Sequence, residues 1–327
     1  MGVSAEAAVA DAPARRGTRR LVHRLRSWEP LGLAESPDSE EEFVLSDDLP
    51  SSHVLLCDGP HRFHDLQAAA EMIREIGEFI GKTHFGVPVD RTGVFYRFAV
   101  ATRDVSSWRA TGTGPAQLTQ VLKVRPEKVI AQVPRALEFR TFLQIGDVPC
   151  GAGTVNVVFL PPMTHSNHRR HSRAQALRAP ARTDVTGAPV DPAEVGRSLP
   201  GNVLVHGPCD LSDGRLSVGV RVPAGWPMPG RAAEGHVPAL VQLETLRQTS
   251  LLAVGRAHGL RPERCTLASL KVHFRGYAEP ELGMRCAAVV GLCGRDSEGR
   301  RQTPVTLTLT QGGRAVLEAV TTVVEDF

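Results

Sequence analysis

The sequence predicts an α+β protein made of two similar halves, in each of which an antiparallel sheet wraps around one long central helix. Three observations support this prediction. The length of 327 residues suits two domains. The tripeptide Leu-Val-His occurs at residues 21–23 and again at residues 204–206. In each half, one long helical pattern is followed by several segments in which apolar and polar residues alternate.

The two helices are predicted from apolar residues at helical spacing. The first runs roughly from Phe63 to His84 and the second roughly from Val237 to His258. Pro238 in the first turn of the second helix and Gly259 just past its end are typical helix boundaries. Because a surrounding sheet covers most of a central helix, that helix should be apolar on nearly every side. The second helix meets this expectation through Leu240, Val241, Leu243, Leu246, Leu251, Leu252 and Val254.

Strands are predicted after each helix, where the apolar period changes to two. The first half contributes Gly93–Arg103, Gln117–Val124, Glu138–Gly146 and Thr154–Phe159. The second half contributes Thr266–Phe274, Gly283–Val290, Gln302–Thr310 and Ala315–Val324. Gly312 and Gly313 mark a hairpin turn between the last two strands.

These elements divide the chain into four parts. Residues 1–18 are expected to be a disordered N-terminal tail, 19–160 a first domain and 200–327 a second domain. Residues 161–199 between the domains are rich in Pro, Arg and His. We expect them to form an exposed connection with one short helix around Arg173.

The composition excludes several classes of function. Lys and Arg total 38 against 35 Asp and Glu, and the resulting charge of +3 does not suit a basic nucleic-acid coat. No stretch approaches the about 18 apolar residues of a membrane span, and the N-terminus carries no apolar secretion signal. The six cysteines form no C-x-x-C pair. A soluble, cytoplasmic protein without a nucleic-acid or membrane partner is therefore expected.

Both predicted helices carry a glutamate followed three residues later by an arginine. These pairs are Glu71 with Arg74 and Glu244 with Arg247, and Gln248 follows the second pair. In the first helix the pair belongs to a continuous polar stripe, so a solvated intrahelical pair is as good an interpretation as a functional site. In the second helix leucines follow one turn later. Burying such a pair costs several kcal/mol per ion, which favours function over a structural ion pair.

The sequence around the second pair resembles a known family. Residues 237–248, Val-Pro-Ala-Leu-Val-Gln-Leu-Glu-Thr-Leu-Arg-Gln, resemble the helix start P-G-x-L-x-x-E-A-x-x-Q of hot-dog fold acyl-thioester dehydratases. With His236 and Arg247, the chain is more similar to the AfsA family, the A-factor (γ-butyrolactone) biosynthesis proteins, which have two hot-dog halves. The resemblance begins at about residue 20 and extends to the end of the chain. Further matching residues are His64, Asp65, His168, Arg169, Arg170, Phe274, Tyr277 and Glu279.

This resemblance implies a tandem double hot-dog and an acyltransferase of the butenolide synthase type. Such enzymes join a β-ketoacyl thioester, carried on acyl carrier protein or coenzyme A, to the hydroxyl of dihydroxyacetone phosphate. The acyl ester phosphate then cyclises to a butenolide, a precursor of a signalling lactone. Neither a cofactor nor a metal is required. The implied catalytic residues are Glu244, Arg247, Glu71 and Arg74, and the implied substrate-binding residues are Gln248, His236, Arg169 and Arg170.

Specific roles are expected at the second helix. Glu244, with a pKa raised by an apolar site, would act as general base on the attacking hydroxyl. Backbone N–H groups near Val237 would stabilise the thioester oxyanion. Arg247 would fix Glu244 or clamp a phosphate.

Two alternatives stay open: another hot-dog thioester enzyme, either a dehydratase or a thioesterase, and a non-catalytic module that binds an acyl ligand or a carrier protein. The positions that match the dehydratase histidine are Cys57 and Gly230, which argues against dehydration. The histidines at 165, 168 and 171 are spaced by three, but arginines surround them, and no metal site is expected.

Overall fold

The computed structural model of the protein describes eight segments of the chain: residues 20–24, 40–49, 58–59, 62–111, 116–178, 187–207, 212–222 and 235–327. The predicted tail at 1–18 lies outside them, as do Cys57 and Gly230. No helix of the described residues has the length and apolar character needed to cross a membrane.

The described residues form two halves with the same order of elements. The first half contains β1 (Arg20–Arg24), β2 (Glu41–Leu49), α1 (Gln67–His84), β3 (Thr92–Thr102), β4 (Ala116–Ile130), β5 (Val133–Ile145) and β6 (Val148–Leu160). Helix α2 (Pro162–Arg178) follows. The second half contains β7 (Val205–His206), β8 (Arg215–Val220), α3 (Ala239–His258), β9 (Cys265–Phe274), β10 (Met284–Val290), β11 (Gly294–Arg295), β12 (Arg301–Gln311) and β13 (Arg314–Glu325). Short 3-10 helices lie at Val105–Trp108, Pro192–Val195, Pro200–Asn202 and Pro262–Arg264.

All strands of the described residues belong to one antiparallel sheet of 13 strands. Its order is β1-β2-β4-β5-β6-β3-β9-β13-β12-β10-β8-β7, with β11 paired to β12. From its outer edge inward, the first half has the order β1-β2-β4-β5-β6-β3. The second half has the corresponding order β7-β8-β10-β12-β13-β9. The halves meet where β3 pairs with β9, in a register that places Arg97 opposite His273 and Ala101 opposite Ser269. This order confirms the predicted duplication.

The two central helices differ in burial. All residues from Leu240 to Val254 of α3 are buried, and α3 packs against β7, β8, β9, β10, β12 and β13. This confirms a helix that a sheet surrounds. Helix α1 is amphipathic: Ile73 and Ile80 are fully buried, whereas Glu75 and Phe79 are exposed. Helix α1 packs on β3 and β6, and it also contacts α3.

Helix α1 begins later than predicted, at Gln67 instead of Phe63. The preceding residues pair with another segment: Phe63 forms a β-bridge with Arg109, and the N–H of His64 donates to the carbonyl of Trp108 at 2.8 Å. These tertiary hydrogen bonds replace a first helical turn. The C-terminus of α3 is as predicted, because Gly259 caps it in the left-handed region at φ 63°.

In 161–199 the predicted helix is too short, and the predicted exposure is wrong for Val190 and for residues 195–197. Helix α2 covers 17 residues instead of one short stretch around Arg173. After it, Val190, Val195 and Arg197 are buried, with exposures of 7%, 0% and 3%. They pack into the second half because α3 needs cover on the side that the sheet leaves open. The limits predicted for the domains stay a prediction.

Candidate active site between the two halves

The carboxylate of Glu244 is the centre of a buried polar cluster in α3. Its side chain is fully buried. Arg247 donates to both oxygens, from Nε to Oε2 and from Nη2 to Oε1, each at 2.9 Å. Gln248 donates from Nε2 to Oε1 at 2.7 Å. The three polar groups that the helical spacing predicted on one face are therefore joined directly.

Two further donors to Glu244 come from distant segments. Arg197 donates from Nε to Oε1 at 2.9 Å and from Nη2 to Oε2 at 2.8 Å. Gln67, the first residue of α1, donates from Nε2 to Oε2 at 2.8 Å. Each carboxylate oxygen of Glu244 thus accepts three hydrogen bonds. A carboxylate oxygen has about two lone-pair sites, so both are saturated.

Carboxylates of the first half complete the cluster around Arg197. Asp65 Oδ2 lies 3.0 Å from Arg197 Nη2, and Asp58 Oδ1 lies 3.4 Å from Arg197 Nη1. Asp65 Oδ1 also lies 3.9 Å from Arg247 Nε. The cluster thus contains the guanidinium groups of Arg197 and Arg247 and three carboxylates. With all five groups ionised, its formal charge is −1. The cluster is therefore built from both halves, at the place where α1 meets α3.

The protonation of Glu244 is the reverse of what the sequence predicted. Burial opposes the charged carboxylate, but the charges of Arg197 and Arg247 and their hydrogen bonds outweigh burial and lower the pKa of Glu244 to about 2. The expected raised pKa is wrong, because that prediction counted the apolar neighbours and missed Arg197. The pKa of Arg197 is raised: burial alone would lower it, but Asp65, Glu244 and Asp58 more than compensate.

A sharp turn brings Arg197 to the cluster. Gly196 adopts the left-handed region at φ 62° and ends the 3-10 helix Pro192–Val195. A Cβ on Gly196 would also lie 3.3 Å from a terminal nitrogen of Arg247, so glycine allows a close approach. Arg247 Nη2 donates to the carbonyl of Val195 at 2.9 Å and anchors this turn to α3. The sequence contains a local signal for this turn within the segment rich in Pro, Arg and His. Asp191 and Pro192 are typical of a helix start, and Gly196 is typical of a helix end.

Gln248 connects the cluster to the chain before β7. Its Nε2 donates to the carbonyl of Asn202 at 2.7 Å, and its Oε1 accepts the N–H of Leu204 at 2.8 Å. With the bond to Glu244, every polar group of this side chain is used. Gln248 therefore holds Glu244 in place and fixes the loop over α3.

The predicted pair of the first half lies apart from this cluster. Arg74 donates from Nε to Glu71 Oε2 at 2.7 Å, and its Nη2 also contacts Glu71 Oε1. The two side chains are 18% and 13% exposed. Among the described residues, Arg74 is the one donor to Glu71. Glu75, which occupies the position of Gln248, is exposed.

Two of the predicted substrate-binding residues outside α3, Arg169 and His236, form a second group around Tyr277. The guanidinium of Arg169 lies 4.7 Å from the ring centroid of Tyr277, and the ring of His236 lies 5.2 Å from it. Arg169 also donates to the carbonyl of Gly235 at 2.7 Å, just before α3. The structure thus brings Arg169 and His236 together at the start of α3 rather than at the carboxylate of Glu244. Arg170 points away, on the exposed side of α2.

The histidines of α2 take part in other contacts. His165 and His168 meet the ring of Tyr277 edge-on, at 5.9 and 5.6 Å. His171 hydrogen-bonds to Gln175 at 2.9 Å. In the described part of the chain no group of three or more His, Cys, Asp or Glu side chains is arranged to hold a metal ion.

Comparison with known proteins identifies the same family that the motif resembles. Residues 179–324 match the AfsA family model, described as an A-factor biosynthesis hotdog domain. Over 246 residues, the chain is 25% identical to a protein of Streptomyces coelicolor named 2-oxo-3-(phosphooxy)propyl 3-oxoalkanoate synthase, covering 72% of either chain.

Solved structures show the fold. A 12:0-ACP thioesterase from Umbellularia californica is similar at a TM-score of 0.52 with 15% identity, over 87% of this chain and 94% of that one. The pyran synthase domain from module nine of the sorangicin pathway is similar at a TM-score of 0.50 with 16% identity, over 90% and 97%. These neighbours and the strand order confirm the tandem double hot-dog. Residues 179–324 of this chain are thus similar to the AfsA family, and the synthase relative is similar over 72% of the chain.

Proposed function

We propose that the protein is an acyltransferase that moves a β-ketoacyl group from a thioester to the hydroxyl of dihydroxyacetone phosphate. The name of the Streptomyces coelicolor relative describes the ester phosphate that this reaction would form. Cyclisation of that ester to a butenolide would then lead toward a signalling lactone. The observation that carries the proposal is the fully buried carboxylate of Glu244, held by two arginines at the junction of the two halves.

The cost of this arrangement supports a functional role. Removing a charged group from water costs several kcal/mol, and replacing a buried ion pair with apolar residues is often neutral or stabilising. The rest of α3 from Leu240 to Val254 shows that apolar packing is available at this place. Because Glu244, Arg197 and Arg247 are nevertheless buried there, we propose that they take part in the reaction.

The acceptor phosphate is the key to the proposed mechanism. In the free protein Glu244 has no vacant lone pair and a pKa of about 2, so it is a poor base. Arg247 retains 7% side-chain exposure, whereas Arg197 has none. We propose that the phosphate draws Arg247 away from Glu244 through a bidentate contact. Loss of that neighbouring charge raises the pKa of Glu244 and frees it to take the hydroxyl proton.

The transfer itself balances without a cofactor. The acceptor oxygen forms the ester C–O bond, the thioester C–S bond breaks, and the proton passes from Glu244 to the leaving thiolate. In the described residues no side chain caps the start of α3 at Pro238, so backbone N–H groups there can stabilise the oxyanion. His236 and Arg169 lie beside this start and are proposed to line the substrate approach. Arg170 as a substrate ligand, and Glu71 with Arg74 as a second catalytic pair, stay predictions.

The test is direct. Purified protein is incubated with β-ketoacyl thioesters of several chain lengths, with and without dihydroxyacetone phosphate, and products are identified by mass spectrometry. We expect an acyl ester phosphate only when the acceptor is present. Glu244→Gln and Arg247→Ala should abolish it, whereas Glu71→Gln, the matched change in the other half, should leave most of it.

Other products would assign the protein to the alternatives. Free β-keto acid formed without the acceptor would indicate a thioesterase, and an enoyl product would indicate a dehydratase. No conversion of any thioester, together with saturable binding, would indicate a non-catalytic binding module. Each of these three results would overturn the proposed transfer.

A further inference from the structure

Gln67 carries a buried hydrogen-bond acceptor that no other described residue uses. Its side chain is fully buried, and Oε1 has no hydrogen-bond partner among the described residues. The orientation of the amide is settled by its neighbour: the carboxylate of Glu244 only accepts, so the nitrogen of Gln67 must face it. The oxygen is therefore turned away from Glu244 and needs a donor from elsewhere. Buried acceptors without a partner are rare in native proteins.

The other polar atoms near Glu244 show why this one is distinct. Arg197 Nη1 and Asp58 Oδ1 also lack hydrogen bonds, but they face each other at 3.4 Å as an ion pair. Gln248 uses all of its polar groups within the protein. Gln242 Oε1 is also unsatisfied, but its amide nitrogen bonds the carbonyl of Val237 and not Glu244. Within the described part of the chain, Gln67 is the one residue that combines contact with Glu244 and an unpartnered acceptor.

The chemistry of the substrates indicates which of their groups can donate a hydrogen bond to Gln67 Oε1. This step rests on the proposed function. The acceptor hydroxyl must direct its single proton to the base, and a neutral amide oxygen takes no proton. The leaving group of the thioester is different: in coenzyme A and in carrier proteins, sulfur is followed by two carbons and then an amide N–H. Such an N–H is a donor that keeps its proton throughout the reaction.

We propose that Gln67 Oε1 accepts a hydrogen bond from the first amide N–H of the thioester's leaving arm. Gln67 is then a specificity-determining residue, supplied by the first half to the centre of the second. The cluster is open to solvent at Asp65, two residues earlier in the chain, which keeps 17% of its side chain exposed. The protein thereby recognises the arm that coenzyme A and carrier proteins share, independently of the acyl chain.

The experiment compares two unreactive ligands that differ in one group. They are the octyl thioether of N-acetylcysteamine and the octyl thioether of 2-mercaptoethyl acetate, in which oxygen replaces the N–H. Dissociation constants are measured by calorimetry on the full chain. We expect the wild-type protein to bind the amide about tenfold more tightly or better, since losing a partner for a buried acceptor has that order of effect. Gln67→Met should bind both equally.

Gln248→Met is the matched control. It also removes one hydrogen bond to Glu244, but Gln248 Oε1 already accepts the N–H of Leu204, so the preference for the amide should persist. Equal binding of both ligands by the wild type would overturn the proposal, and so would a preference that survives in Gln67→Met. The wild-type comparison needs no variant to fold. Because the ligands do not react, the result is independent of whether acyl transfer to dihydroxyacetone phosphate is observed.

Discussion

The two central helices carry the same Glu-x-x-Arg spacing in opposite surroundings. In α1, Glu71 and Arg74 are 13% and 18% exposed and bond to each other. In α3, Glu244 is fully buried and Arg247 is 7% exposed, and the carboxylate also binds Arg197 and two glutamines. The i, i+3 spacing accounts for the pair in both helices. The neighbouring segments account for the difference in burial and in hydrogen-bond partners.

The duplication has therefore preserved the sheet more faithfully than the polar cluster. In both halves the strand order is the same from the outer edge of the sheet to the pair β3–β9, where the halves meet. The turn Val195–Arg197 and the chain that Gln248 fixes lie against α3. At the position equivalent to Gln248, α1 has the exposed Glu75. A helix with the right motif becomes a candidate active site only where a second segment encloses it.

The largest expected difference between the two pairs is in stability. Glu244→Gln leaves two buried guanidiniums without their shared carboxylate, and we expect the free energy of unfolding to fall by about 3–5 kcal/mol. Glu71→Gln should cost less than about 1 kcal/mol, because that pair is in contact with solvent. Urea denaturation of both variants measures the difference. Equal losses would show that the two pairs do not differ energetically in the way that their burial indicates.

The buried carboxylate of Glu244 should make stability depend on pH. The pKa of Glu244 falls from an ordinary value of 4.5 to about 2 on folding. A depressed carboxylate pKa contributes stability that is fully present above pH 4.5 and is lost as the pH falls toward 2. We expect this loss to be a few kcal/mol in the wild type and smaller in Glu244→Gln. Urea denaturation at pH 5 and at pH 2.5 tests this, and the same loss in the wild type and in Glu244→Gln would contradict it.

The sequence was sufficient for the fold and for one side of the cluster, and the reasons are physical. Apolar periods of 3.6 and 2 fix the helices and most strands, and the i, i+3, i+4 spacing fixes Glu244, Arg247 and Gln248. Arg197 and Gln67 lie 47 and 177 residues from Glu244, so only the tertiary fold brings them to it. Without them the predicted direction of the Glu244 pKa shift was wrong.

The predicted strand limits failed for a local reason. Strand β4 runs to Ile130 and β5 begins at Val133, well beyond the predicted ends. Their hairpin turns at Ala131 and Gln132, which have φ of 49° and 63° without a glycine. Neither residue is typical of such a turn, so the sequence offered no signal that the strands continue to it.

Replacing the guanidinium of Arg197 should cause a smaller loss of stability than Glu244→Gln. Arg197→Lys keeps the charge but loses the paired donation from Nε and Nη2 to Glu244, so a stability loss of about 1.5–3 kcal/mol is expected. Arg74→Lys in the first half should lose less than about 1 kcal/mol. Thermal and urea denaturation give both values. If lysine at 197 were as stable as arginine, the two-point contact would not contribute to the cluster.

The smallest effect is expected where the first helix is made to match the second. Glu75→Gln gives α1 the same Glu-x-x-Arg-Gln sequence as α3, but at an exposed position, and stability should change by less than about 0.5 kcal/mol. Introduced together with Glu244→Gln, it should restore no acyl transfer, because Glu71 still has Arg74 as its one described donor. Product formation in that double variant, measured by mass spectrometry, would show that the helix motif alone makes a site. Its absence would place the activity in the enclosure that Arg197 and Gln67 provide.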